Sequence, residues 1–123
     1  MIVDDSAEMR CLLREVVAPL THQVVECADG LECLESFAVA QPDWTIMDVR
    51  MPRLDGLSTM RAVHQQWPQA RVLIVTHFRS AAVVAAASEA GAIGCVSKDE
   101  LFRLVEVMDG SAGGTDGSQP TPN

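Results

Sequence analysis

Basic charge is what this chain has least of: nine Lys and Arg stand against seventeen Asp and Glu, a formal charge of −8 over 123 residues. Sequence-independent grip on nucleic acid rests on Lys and Arg neutralising phosphates, so this balance argues against a nucleic-acid partner. No stretch approaches the roughly 20 apolar residues that a membrane-spanning helix needs, and no basic segment followed by an apolar one opens the chain. The reading is a soluble, cytoplasmic protein without a membrane partner. Cys11, Cys27, Cys33 and Cys95 form no C-x-x-C pair. Lying in otherwise apolar segments, they read as buried free thiols rather than as a zinc site or a disulfide framework. No Ser/Thr/Gly-rich phosphate loop follows Val3, which tells against flavin binding.

What is present is enough apolar material, 48% of the chain, to fill one core, and its length suits one domain. Met1-Ile2-Val3 reads as a short strand running into Asp4-Asp5-Ser6, residue types that cap helices. Met9, Leu12, Leu13, Val16, Val17 and Leu20 follow helical spacing up to the region of Pro19. His22 to Cys27 reads as a second strand around Val24 and Val25. Asp29-Gly30 then turns into a helix carrying Leu31, Leu34, Phe37 and Ala38. Trp44 to Met47 forms a third strand, and Gly56 to Trp67 a helix that Pro68 stops.

Val72-Leu73-Ile74-Val75 is the continuous apolar run of a strand buried on both faces, ending at Thr76. An alanine-rich helix, Ala81 to Ala90, closes at Gly91. Ile93 to Ser97 is a fifth strand ending at Lys98, and a last helix carries Leu101, Leu104, Val105 and Met108 to Gly110, with Asp99-Glu100 suited to its positive end. Residues 1–110 thus form one α/β domain. Ser111 to Asn123, nearly devoid of apolar residues, is expected to be a flexible tail. Strands alternating with helices imply a doubly wound parallel sheet, of the flavodoxin-like (βα)5 form with strand order 2-1-3-4-5.

In such sheets ligands bind beyond the carboxyl ends of the strands. Asp48 sits there, where an apolar run stops before Pro52 and Asp55-Gly56. The stretch Met47-Asp48-Val49-Arg50-Met51-Pro52-Arg53-Leu54-Asp55-Gly56-Leu57 resembles the phosphoacceptor segment of two-component response-regulator receiver domains, the CheY-like superfamily. In that pattern the Asp of D-x-x-M-P-x-x-D-G takes a phosphoryl group from a histidine kinase. Asp4 and Asp5 end the neighbouring strand, and three gathered carboxylates call for a hard divalent cation; Mg²⁺, which takes few carboxylates, suits them better than Ca²⁺.

The resemblance implies that Asp5 and Asp48 are direct Mg²⁺ ligands, that Asp4 acts through a metal-bound water, and that the Arg50 backbone carbonyl is a further ligand. It implies that the Thr76 hydroxyl and the Lys98 ammonium meet the phosphoryl group. Alone, Thr76 would be a β-branched strand residue and Lys98 a solvated charge; together with three aspartates at strand ends they make a pattern. The phosphoryl donor would be a sensor histidine kinase or a phosphotransfer protein. The protein would act as a stand-alone switch without a DNA-binding output domain, not as an enzyme. It would signal to an undetermined downstream protein through its fourth helix, fifth strand and fifth helix, the face through which homodimers would form.

Three departures from the family pattern stand out. The aromatic usual three residues before the lysine is Cys95, so no ring is there to swing inward, which keeps a phosphorylation-independent pseudo-receiver scaffold as the alternative. Arg50 and Phe78 lie two residues beyond Asp48 and Thr76, where side chains govern water access, and imply a long-lived phosphoryl group. The first strand is shorter than the family's. A phosphatase of haloacid-dehalogenase type would want an acid where Arg50 stands. His77 reads as a rim residue, and His22 and His64 as surface positions.

Overall fold

The computed structural model describes residues 1–110; the expected tail, 111–123, lies outside the described residues. Five strands, β1 (Ile2–Val3), β2 (Glu26–Cys27), β3 (Thr45–Asp48), β4 (Val72–Thr76) and β5 (Gly94–Ser97), alternate with five helices. The helices are α1 (Ala7–Val17), α2 (Gly30–Ala40), α3 (Gly56–Gln66), α4 (Ala81–Glu89) and α5 (Phe102–Met108). All strand pairs are parallel, in the order β2-β1-β3-β4-β5 expected for a flavodoxin-like sheet.

Because successive strand residues point to opposite faces, each apolar strand feeds two cores. Val3, Met47, Val72 and Ile74 pack with Cys33, Phe37, Met60, Val63 and Ala87 of α2, α3 and α4. Ile2, Ile46, Leu73, Val75 and Val96 pack with Leu13 and Val17 of α1 and Leu104 of α5. Each fully buried Leu, Ile, Val or Met contributes about 1.5–3 kcal/mol, so these two layers carry most of the stability. α4 buries only Ala87 fully. With so little apolar surface removed from water, it is loosely held.

Four helices start on a side-chain cap at the carboxyl rim. Ser6 Oγ accepts from the Met9 amide, Asp29 Oδ1 from Glu32, Asp55 Oδ1 from Ser58 and Ser80 Oγ from Val83. Each satisfies an otherwise orphaned N–H and fixes where its helix leaves the rim. α5 begins later than Asp99-Glu100 and has no such cap.

Several sequence expectations shift. β2 is confined to Glu26–Cys27, because only there does β1 offer partners; Val25 upstream is 42% exposed. α2 turns Gly30, Cys33 and Phe37 to the core and leaves Leu31 and Ala38 outside. Leu12 and Leu20 are likewise exposed, since α1 ends at Val17 and shows the sheet a narrow face. All four cysteines are free, but only Cys27 and Cys33 are buried; Cys11 lies on the outer side of α1 and Cys95 is half-buried. His64 is not a plain surface residue: its ring is half-buried between two backbone carbonyls, Nδ1 3.2 Å from Ala90 O and Nε2 2.9 Å from Ala70 O. Gly91, with φ of 105°, lies so close to this ring that a Cβ there would stand 2.7 Å from Nδ1.

Candidate functional site

Parallel pairing brings strand ends to one rim, and register sets their order. Val3 pairs with Met47, so the next residues, Asp4 and Asp48, stand side by side; Thr76 pairs with Ser97, which places Lys98 one step beyond. A cleft of about 340 Å³ opens there, lined among others by Asp4, Asp5, Asp48, Arg50, Thr76, Phe78 and Lys98. A second cleft of about 370 Å³ lies at the opposite end of the sheet, around Met1, Val24, Trp44 and Met108, and its lining contains one carboxylate, Asp43. Chemistry therefore favours the smaller cleft.

Asp48 is held from below by the return of its own loop. The Gly56 amide donates to Val49 O at 2.8 Å, and a Cβ on Gly56 would lie 2.0 Å from Asp48 O, so only glycine allows α3 to start there. Within that loop Arg53 takes a left-handed conformation, φ 67°, costly for a side-chain-bearing residue. Its guanidinium offsets this by donating through Nε and Nη2 to Asp29 Oδ2.

One oxygen from each of Asp4, Asp5 and Asp48 lies within 4.8 Å of the others. Asp4 is fully buried and Asp48 nearly so, whereas Asp5 is exposed. Lys98 Nζ donates to Asp4 Oδ2 at 3.0 Å and stands 3.3 Å from Asp48 Oδ1, with its own side chain almost wholly buried. Burial, and then the Asp4 charge, push the Asp48 carboxyl above its ordinary range; Lys98 and the Arg50 backbone N–H pull it back only in part. The site is therefore short of positive charge, and its three carboxylates are a donor set that could hold a divalent cation.

The Thr76 hydroxyl is turned into its own loop, accepting from the Phe78 amide at 3.2 Å and facing Phe78 O at 3.4 Å. The Phe78 ring is 75% exposed at the cleft mouth. His77 and Arg50 are exposed on the same rim, as read from the sequence. Cys95 is the one named residue that the cleft does not gather. It packs on the α2–α3–α4 side of the sheet, its carbonyl accepts from Arg79 Nε at 2.8 Å, and burial raises its thiol pKa. Sequence reasoning missed Arg10, whose Nη1 donates to the Asp4 carbonyl at 2.6 Å. Its one signal was a basic side chain among the apolar positions of α1.

Comparison with known proteins agrees with this geometry. Residues 1–109 match the response regulator receiver domain. The chain is 31% identical over 111 residues to the chemotaxis protein CheY of Bacillus subtilis, covering 89% of this chain and 92% of that protein. It is 29% identical to CheY of Thermotoga maritima with the same coverage. Among solved structures, the response regulator domain of T. maritima CheB superposes with a TM-score of 0.80 at 29% identity, over 94% of this chain and 95% of that one. A shared sheet order, a matching profile from end to end of the described domain and relatives of the same length lead to one assignment: this chain belongs to the response-regulator receiver domain family, of the CheY type.

Proposed function

We propose that the protein is a phosphoacceptor switch of a two-component phosphorelay. A sensor histidine kinase or phosphotransfer protein delivers the phosphoryl group: the donor's P–N bond breaks, and a P–O bond forms to an Asp48 carboxylate oxygen. The observation that carries this reading is the convergence of three carboxylates with Lys98, whose ammonium already reaches both Asp4 and Asp48. Asp4, Asp5, Asp48 and the Arg50 carbonyl would hold Mg²⁺, whose charge would neutralise phosphoryl oxygens and the surplus of carboxylate.

Asp48 acts as nucleophile, which requires it ionised; burial and the Asp4 charge raise its pKa, and Lys98 favours the ionised form. Lys98 exchanges part of its hold on the aspartates for one phosphoryl oxygen, and the Thr76 hydroxyl turns its proton from the Phe78 carbonyl to another. Releasing Phe78 frees the loop that leads into the loosely held α4, and this links phosphorylation to the α4–β5–α5 face. There a downstream protein, or a second copy, would dock. We place the protein in the cytoplasm and assign it no enzymatic turnover of a separate substrate.

The test is mass measurement after incubation with Mg²⁺ and acetyl phosphate. A gain of one phosphoryl group in wild type, lost in Asp48→Asn, is the expected result. No gain in wild type would replace this reading with a phosphorylation-independent scaffold, the role that the ring-less Cys95 favours.

A further inference from the structure

We infer that Arg10 is a positioning residue for the acidic cluster, setting where Asp4 and Asp5 stand; this rests on the phosphoacceptor reading of the cleft. β1 is two residues long, so the link Asp4-Asp5-Ser6 is poorly fixed by strand pairing alone. Asp4 is instead held through each of its polar groups. Its amide donates to Cys27 O at 3.1 Å, Oδ1 accepts from the Ser6 amide at 2.9 Å, and Oδ2 accepts from Lys98. Its carbonyl accepts from Arg10 Nη1 at 2.6 Å.

Arg10 is itself locked. Its Nε donates to Glu26 Oε1 at 3.0 Å, and Arg14 occupies the other oxygen of that carboxylate. Glu26 lies in β2 and pairs in register with Ile2. One planar guanidinium therefore bridges α1, the end of β1 and the adjacent strand, with only 18% of its side chain exposed. The fork is what lets two acceptors in different elements be held at once; a lysine ammonium on the same stem reaches one or the other. Groups that orient metal-binding residues from behind commonly change affinity about 10–100-fold when lost. Arg14 makes the same kind of ion pair with Glu26 and supplies the internal control.

The experiment follows Mg²⁺ titrations of the full chain by backbone amide shifts, with amide exchange at Ser6 measured without Mg²⁺. Arg10→Lys should weaken Mg²⁺ binding by about tenfold, the lower end of that range, and speed Ser6 exchange, while Arg14→Gln stays within about twofold of wild type. Should Arg10→Lys not fold, Glu26→Ala, which removes the acceptor of Arg10 Nε together with that of Arg14, should still weaken Mg²⁺ binding measurably while Arg14→Gln does not. Wild-type affinity in Arg10→Lys, or an equal loss in Arg14→Gln, overturns the positioning role and leaves the phosphoacceptor reading intact. Wild type that takes no Mg²⁺ overturns both.

Discussion

Replacing Lys98 by methionine keeps most of the side-chain volume and removes the ammonium that separates two buried carboxylates. Breaking a buried ion pair costs about 3–5 kcal/mol, because the abandoned charge has neither water nor partner. Asp4 is fully buried and Lys98 4% exposed, so little solvent screening reduces that figure. A ceiling applies, since the folded protein can instead protonate a carboxylate. From an ordinary value of 3.8, and at about 1.4 kcal/mol per pH unit, that relief costs about 5 kcal/mol near pH 7.5 and about 1.6 kcal/mol near pH 5.

The sign follows from linkage. A carboxyl with a raised folded pKa binds protons more tightly folded than unfolded, so its penalty is complete above the folded pKa and fades as pH falls towards 3.8. Lys98→Met should therefore lose about 3 kcal/mol or more near pH 7.5 and no more than about 2 kcal/mol near pH 5. Added Mg²⁺ should recover part of the loss at the higher pH. Urea unfolding at the two pH values, with and without Mg²⁺, measures this. A loss under about 1 kcal/mol, or one of equal size at both pH values, would refute the view of an electrostatically strained cluster relieved by Lys98.

Other consequences can be measured as directly. The Thr45 hydroxyl is buried in β3 without a hydrogen-bond partner among the described residues, so Thr45→Val should stabilise the fold by about 1 kcal/mol in urea unfolding. Gly56→Ala would set a methyl group 2.0 Å from Asp48 O; a loss of about 3 kcal/mol, with much slower phosphorylation by acetyl phosphate, is expected, and wild-type kinetics would contradict the assigned loop packing. Phe78→Ala should shorten the lifetime of the phosphorylated protein by about tenfold or less, read as release of inorganic phosphate; an unchanged lifetime removes the shielding role given to this exposed ring.

Much of the site was legible because chemistry sat where apolar runs stop. Asp48 and Thr76 each terminate a strand and Lys98 directly follows one, and parallel pairing could carry them only to a common rim. The order of the sheet followed from the alternation of strands and helices together with the family resemblance. What the sequence hid were contacts made across distance. Arg10 meets Asp4 through the backbone carbonyl, which no residue pattern records. His64 is pinned by carbonyls of Ala70 and Ala90, so its one-letter identity said nothing of its surroundings. α2 misled for a different reason: Leu31 and Ala38 fit the helical spacing, but the close approach of Gly30 to Thr59 and Leu54 rotates the helix and brings Cys33 inward.

The shortness of β2 has a bearing on how copies of this protein can associate. A sheet grows by recruiting a foreign strand along an unpaired margin, and this sheet has two margins. On one, regular backbone runs for two residues, and the Glu26 side chain is occupied by two arginines, so a newcomer would find few amides to pair with and a crowd of charges. Runaway edge-to-edge growth is thereby blocked on that flank. Any strand-mediated pairing is left to β5, where it would end at a closed pair instead of a fibre.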